Sequence, residues 1–426
     1  MEYGSVPLAP LMWVDDMLQA TRGLEEARET NRRVNSMMKQ RGLNLNKEKS
    51  VCLIIGNKKQ KLEASRVLED EPLMCGDFSI KEKHCEKWLG QQISALGLAD
   101  SVAKTVENRE GKLKAACREI ANVVNDWRSR AVGGMEAALQ LWEACIVPSL
   151  LHGAGTWVDM AAATKLKLNK IQNCFVRLVL QVGPGAPLAG LLWDSCLLDM
   201  GLRVWREKLL LMLHITRLDE DTLAHKIYKE QKDNAWPGLA KETENICEQL
   251  GIESVHTTRL DAQQFRKLVT EACHILNEKR LRKKAEGSTK AKRIEMELYS
   301  KKEYLQKKRI QNVRIQFRAR YGLLPFAGNY GHDRKFAHRE WLCFCQEERE
   351  EEAHLLGGTC RVYGDIRSKY GDLEDDEDLI NFFNEVLERR EELDARGLED
   401  QALVAERLAT DDASPGDTLG PASMGT

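Results

Sequence analysis

The chain has 426 residues, of which 42% are hydrophobic and 31% charged, enough to build two or three packed domains of ordinary apolar content. With a formal net charge of −2 nothing about the total demands a nucleic-acid partner, although basic residues crowd one stretch and acidic ones the tail. There is no leader-like segment and no apolar run long enough to cross a bilayer, which predicts no membrane partner and an intracellular location, nucleus or cytoplasm. In such a reducing compartment Cys52, Cys117, Cys145, Cys174, Cys196 and Cys273, each standing singly in apolar surroundings, read as small buried hydrophobes rather than disulfide partners.

In chain order, Leu11 to Val14 and Met17 to Ala20 predict two strands joined at a tight turn that carries Asp15 and Asp16. Helical spacing runs from Gly23 to Arg41 and stops at Gly42. A turn-rich stretch to Ser50 leads into a buried strand over Val51 to Ile55, and further strands are expected around Phe78 to Ile80 and Lys87 to Ser94. From about residue 98 to 320 helical patterns dominate, with breaks expected at Gly133-Gly134, Pro148, Gly183 to Pro187 and Trp236 to Gly238. Trp193 and Trp205 read as core. Asp372 to Asp378 reads as a solvated acidic helix start, and the residues after Asp411 have the composition of a disordered tail.

Two adjacent carboxylates at a hairpin turn can hold divalent cations for in-line phosphoryl transfer, but an Asp-Asp pair alone is more often turn chemistry. The order of the segments around this pair is more specific. Trp13-Val14-Asp15-Asp16, a helix, Gly42-Leu43-Asn44-Leu45-Asn46-Lys47-Glu48-Lys49-Ser50, a strand and Trp88-Leu89-Gly90 resemble the palm of non-LTR (LINE-like) retrotransposon reverse transcriptases. Leu141-Trp142-Glu143-Ala144-Cys145-Ile146-Val147-Pro148-Ser149-Leu150-Leu151-His152-Gly153-Ala154-Gly155-Thr156-Trp157 is similar to the segment after that palm.

The resemblance implies an RNA-directed DNA polymerase acting on an RNA template and a DNA primer or target. Asp15 and Asp16 would be catalytic Mg²⁺ ligands, Lys49 a group near the leaving pyrophosphate, and Gly90 a close backbone approach to the primer. Trp13 departs from the family's usual Tyr or Phe. The family places a third carboxylate and the fingers upstream of the Asp-Asp box, where this sequence has only Glu2 as an acid, so a C-terminal half inactive by itself is expected. The competing reading is a remnant that binds RNA or DNA without catalysis.

Between Lys279 and Arg320 sixteen lysines and arginines stand against four glutamates, with Tyr299, Tyr304 and Phe317 among them. Such a stretch can neutralise phosphates while its rings stack on unpaired bases. Lys283, Lys284, Arg293, Lys307, Lys308 and Arg309 are the residues singled out. Downstream, Cys343, Cys345, His354 and Cys360, followed by Tyr363 and Arg367, resemble the family's zinc knuckle. Three thiolates and an imidazole would suit tetrahedral Zn²⁺. Only Phe344 separates the first two cysteines where the family usually has two residues, and His338 is a substitute ligand.

The fold expected is α+β, a partial reverse-transcriptase palm followed by a mostly α-helical thumb and C-terminal region. The boundaries drawn are 1–97 for the palm, 98–160 for the thumb and 161–278 for a helical region. They continue with 279–330 for the basic segment, 331–370 for the knuckle and 371–426 for an acidic helix and tail.

Overall fold

A computed structural model describes residues 2–3, 6–7, 11–13, 16–126, 133–288, 290–291, 294, 298–307, 309–324, 342–345, 347–348, 352–357, 360–370 and 376–411. It is α+β and mostly helical, and it divides into two compact units, Met1–Ile310 and Gln311–Thr426.

The first unit opens with short strands: β1 (Glu2–Tyr3), β2 (Val6–Pro7), β3 (Leu11–Trp13) and β4 (Asp16–Leu18). Helix α1 (Leu24–Gln40) turns Ala27, Val34 and Met38 inward, the spacing read from the sequence. After it come β5 (Val51–Cys52) and α2 (Lys58–Asp70), whose start is held by a reciprocal capping box between Asn57 and Gln60. The strands β6 (Met74–Cys75), β7 (Phe78–Ser79), β8 (Lys81–Glu82), β9 (Cys85–Trp88) and β10 (Gln91–Ser94) follow. All described strands lie in two-stranded ladders, β1–β2, β3–β4, β5–β8, β6–β7 and β9–β10, of which only β5–β8 is parallel. The palm-like sheet expected for this region is therefore not among the described residues. The strand expected over Val51 to Ile55 stops at Cys52, and Ile55 is 68% exposed, because the one partner strand is two residues long.

Helices build the rest of this unit: α3 (Leu98–Asp126), α4 (Gly134–Leu141), α5 (Val147–Leu151), α6 (Ala162–Leu180), α7 (Leu188–Asp194), α8 (Met200–Thr216), α9 (Leu223–Asp233), α10 (Leu239–Leu250), α11 (Ala262–Glu286) and α12 (Tyr304–Lys307). Pro148 does not break the helical path as expected. A π turn, Trp142–Ile146, precedes it, with the Val147 N–H bonded to the Trp142 carbonyl, and the wider turn accommodates the proline ring. The path ends instead at Gly153, whose φ of 73° is left-handed.

Packing follows the helical stripes. Leu198, Leu202, Trp205, Leu209, Met212 and Leu213 recur at three- and four-residue steps and meet Phe265, Val269 and Cys273 of α11 and Ile246 and Cys247 of α10. Trp142 stacks on Phe175 with ring centroids 4.8 Å apart, both fully buried, and truncating either would cost about 3–5 kcal/mol. Trp193 and Trp205 are core, as read from the sequence. Of the cysteines expected inside, Cys117 and Cys273 are buried, Cys52, Cys174 and Cys196 are half-buried, and Cys145 is exposed because the π turn rotates it outward. Two buried cations hold elements together through carboxylates. Arg203 donates a forked pair of hydrogen bonds to Glu143 at 2.7 and 2.5 Å, and Lys208 reaches Glu242 at 2.5 Å.

The second unit contains α13 (Ile310–Arg320) from its second residue on, α14 (Glu352–Leu356), α15 (Gly364–Lys369) and α16 (Asp376–Asp411). Its core joins Leu324, Leu355, Tyr363, Ile366, Phe382, Phe383 and Val386 around three cysteines. The division between the units falls inside the basic segment drawn as 279–330. The acidic stretch enters α16, whereas Asp372 and the tail after Asp411 lie outside the described residues.

Two half-buried histidines should make stability depend on pH. The His256 ring lies between the Tyr228 hydroxyl, 3.1 Å from Nδ1, and the Ala240 carbonyl, 3.2 Å from Nε2. Burial lowers its pKa, as it does for His274. The unfolded chain then binds these protons more readily, so stability is complete above the unfolded histidine value of about 6.5 and is lost as pH falls toward the folded values. Urea midpoints, followed by tryptophan fluorescence, should fall between about pH 7 and pH 5. His256→Gln should flatten that slope, and an unchanged slope in the variant would refute the assignment.

Candidate metal centre

Cys343 and Cys345 bracket a turn rather than an extended strand. The Cys343 N–H donates to the Glu348 carbonyl at 2.9 Å, which folds the chain back, and Phe344 points outward at 38% exposure. This turn resolves the spacing problem. With a single residue between them, two cysteines on a strand would share a face without converging, whereas here both sulfurs turn into the same space. His354 comes from α14, and Cys360 from the segment that enters α15.

The four side chains are all buried, and their ligand atoms lie within 4.8 Å of one another. Cys343 Sγ is 3.5 Å from Cys360 Sγ, and Cys345 Sγ is 3.3 Å from His354 Nε2. A tetrahedral zinc with Zn–S bonds of about 2.3 Å has sulfur–sulfur edges of about 3.8 Å, so the set needs little movement to enclose an ion. Three soft thiolates with one imidazole is also the donor chemistry zinc prefers. Glu348 Oε2 lies 3.0 Å from His354 Nδ1, which orients the ring and leaves Nε2 facing the sulfurs. This buried Cys/His cluster could hold a metal such as zinc.

The surroundings treat the thiols unequally. Burial pushes the Cys343 and Cys360 thiols up from their ordinary value. Burial also opposes ionisation of Cys345, but the N–H groups of Glu347 and Glu348, with Cys343 and His354, outweigh it and bring its pKa down to about 7. Arg361 Nη2 caps the Cys345 carbonyl at 2.7 Å and fixes the turn. Tyr363 is fully buried beneath the cluster, and Arg367 donates to the Leu356 and Tyr370 carbonyls. Neither Glu348, one of an acidic run, nor Arg361, a lone arginine after Cys360, was picked out from the sequence, since neither carries a periodic signal.

The other expected residues are dispersed. Asp16 is exposed at the start of β4, paired with Trp13 of β3, and Asp15 lies outside the described residues. Among the described residues no Mg²⁺ site is gathered around Asp16. Lys49 is exposed in a turn, its N–H 3.2 Å from Asn46 Oδ1.

Gly90 forms the β9–β10 turn with Leu89, both at positive φ, 46° and 80°, as a two-residue hairpin requires. The Gly90 carbonyl accepts from Arg109 Nη2 at 2.7 Å, while Arg109 Nη1 donates to the Leu150 and His152 carbonyls, each at 2.9 Å. The glycine allows close approach of the His152 ring, which a Cβ would meet at 3.2 Å.

In the basic segment, Lys283 and Lys284 are exposed on the last turn of α11, and Arg309 is exposed. Lys307 closes α12, and the Lys307 side chain, Arg293, Lys308 and His338 lie outside the described residues. The expected stacking rings are used inside the fold. Phe317 and Tyr304 are buried, Tyr304 donates to Asp194 Oδ2 at 2.6 Å, and Tyr299 packs on Trp193 and accepts from Asn277 at 2.7 Å. No described helix is long and apolar enough to cross a membrane. Against protein-family models, curated proteins and solved structures alike, the chain finds no match.

Proposed function

We propose that the chain is a C-terminal portion of a non-LTR retrotransposon-type RNA-directed DNA polymerase whose own contribution is a zinc-dependent grip on RNA or DNA. The observation that carries this reading is the convergence of Cys343, Cys345, His354 and Cys360 into one buried cluster, in the same order along the chain as the ligands of the resembled knuckle. Zinc would be held by these four side chains and would supply cross-linking of the small unit around it. The cationic groups on offer to phosphates are Lys283, Lys284 and Arg309, with Arg293, Lys307 and Lys308 assigned from sequence. With Tyr299, Tyr304 and Phe317 packed inward, charge rather than ring stacking would drive that contact.

Asp15 and Asp16 remain the proposed Mg²⁺ ligands, Lys49 the proposed leaving-group cation, and Gly90 the proposed primer contact. In a two-stranded hairpin Asp16 has no broad rigid floor, and two ions would need a further carboxylate brought to it. The partners in this reading are a template RNA and a DNA primer or target.

Purified protein should contain one zinc per chain, and Cys360→Ser should lose it. Because structural zinc contributes about 10–16 kcal/mol to folding in small zinc domains, chelation should open residues 343–370 to protease while the helical unit keeps its melting transition. A metal-free preparation with unchanged protease resistance would remove the site.

RNA affinity should fall steeply with salt, and Lys283→Glu/Lys284→Glu should weaken it and flatten the log–log slope by about two. Salt-independent binding, or no effect of the double variant, would argue against a phosphate-tracking surface. In the same preparations Mg²⁺-dependent primer extension should be undetectable, and extension that disappears in Asp15→Ala/Asp16→Ala would restore a catalytic role.

A further inference from the structure

Cys343 and Cys360 are in direct contact, with their Sγ atoms 3.5 Å apart although 17 positions separate them in the chain. Cys345 is turned to other partners. Its Sγ lies 3.3 Å from His354 Nε2 and accepts from the Glu347 N–H at 3.5 Å. The buried set therefore divides into one sulfur–sulfur pair and one sulfur–imidazole pair. The backbone keeps this division: the Cys343 N–H is bonded to the Glu348 carbonyl, and Arg361, next to Cys360, is anchored on the Cys345 carbonyl.

A disulfide holds its sulfurs about 2.05 Å apart, so the pair has about 1.5 Å to close. The bond would join the turn at Phe344 to the segment entering α15 and close the loop that carries α14. The sulfurs are buried beneath a thin cover, since Phe344, Glu347, Glu348 and Arg361 beside them are exposed. Opening of that turn, a local fluctuation in a unit with a small core, would bring them to solvent while the rest stays folded.

We infer that Cys343 and Cys360 form a reversible thiol–disulfide pair, closed by a peroxide, and that closure withdraws two ligands from the metal set. Hydrogen peroxide oxidises one sulfur to a sulfenic acid and is itself reduced, leaving one water. The second sulfur then attacks the first and expels its hydroxyl, which leaves as water with the second thiol's proton. Two S–H groups and one peroxide thus give one S–S bond and two waters. A dithiol reverses the step by exchange and is itself oxidised to a disulfide. Joined sulfurs are no longer thiolates, and Cys345 with His354 is too small a set for a tetrahedral ion. The pair follows from the sulfur contact alone, whereas its effect on metal loading rests on the proposed zinc site.

Full-length protein, either stripped of metal with 1,10-phenanthroline and desalted or loaded with zinc, is treated with hydrogen peroxide and quenched with N-ethylmaleimide. Peptide mapping by mass spectrometry without reduction should find Cys343 joined to Cys360 in the metal-free protein, with Cys345 alkylated. Zinc-loaded protein should form this cross-link at least about tenfold more slowly, because the ion favours the closed unit. Oxidised protein should take up less than about a tenth of the zinc that reduced protein binds, and dithiothreitol should restore both thiols and the uptake. Cys360→Ser should leave Cys343 without a cross-link.

A cross-link that includes Cys345, or oxidation of Cys343 and Cys360 to sulfinic acids with no S–S bond, would overturn the pair even if zinc binds. Equal rates with and without zinc, or full zinc uptake by the oxidised protein, would overturn the coupling to the metal. A chain that takes up no zinc yet joins Cys343 to Cys360 upholds the pair and removes only the zinc reading. The mapping is made on the wild-type chain, so the result does not depend on how Cys360→Ser folds.

Discussion

Three sulfur atoms and an imidazole share one buried space in the C-terminal unit, and the arrangement of that unit follows from satisfying them. Without a common partner, burial disfavours the thiolates, and two of the three thiols are pushed upward in pKa for that reason. The turn at Phe344, the cap from Arg361 to the Cys345 carbonyl and the Glu348–His354 contact all act on ligand orientation. Leu355, Tyr363, Ile366, Phe382 and Phe383 then close over the cluster as a small apolar shell. A unit with so modest a core gains most from a cross-link at its centre.

The helical unit is organised differently. Its stability rests on apolar stripes that meet without any special chemistry, and on a few buried or half-buried cations that tie remote segments. Arg109 connects the β9–β10 turn to the end of α5 through three backbone carbonyls, and its guanidinium sits 5.8 Å over the Trp157 ring. Arg203 connects α8 to the π turn through Glu143. Gly155 is needed beside these contacts, since a Cβ there would meet Leu211 at 3.0 Å and the Glu207 carbonyl at 3.1 Å. The wording of the segment from Leu141 to Trp157 thus has a packing rationale.

The candidate residues divide by how much tertiary information they require. The four positions of the Cys/His cluster that could hold a metal were named from residue type, order and the resemblance to a knuckle, although a single intervening residue left their convergence undecided. The basic segment was legible as charge, but the fate of its rings was not. An aromatic residue among lysines looks the same in sequence whether it stacks on a base or on Trp193.

Residue order and periodicity determined the helices, α1 and its end at Gly42, the core tryptophans and the identity of the Cys/His set, because each depends on local spacing along one element. Tertiary structure decided that the described N-terminal strands pair two by two, that the chain stays helical through Pro148, and that Cys343, Cys345, His354 and Cys360 meet. These outcomes depend on partners far away in the chain: a strand's length is set by its neighbour, a proline's tolerance by the turn before it, and a metal site by the folding of several segments onto one point.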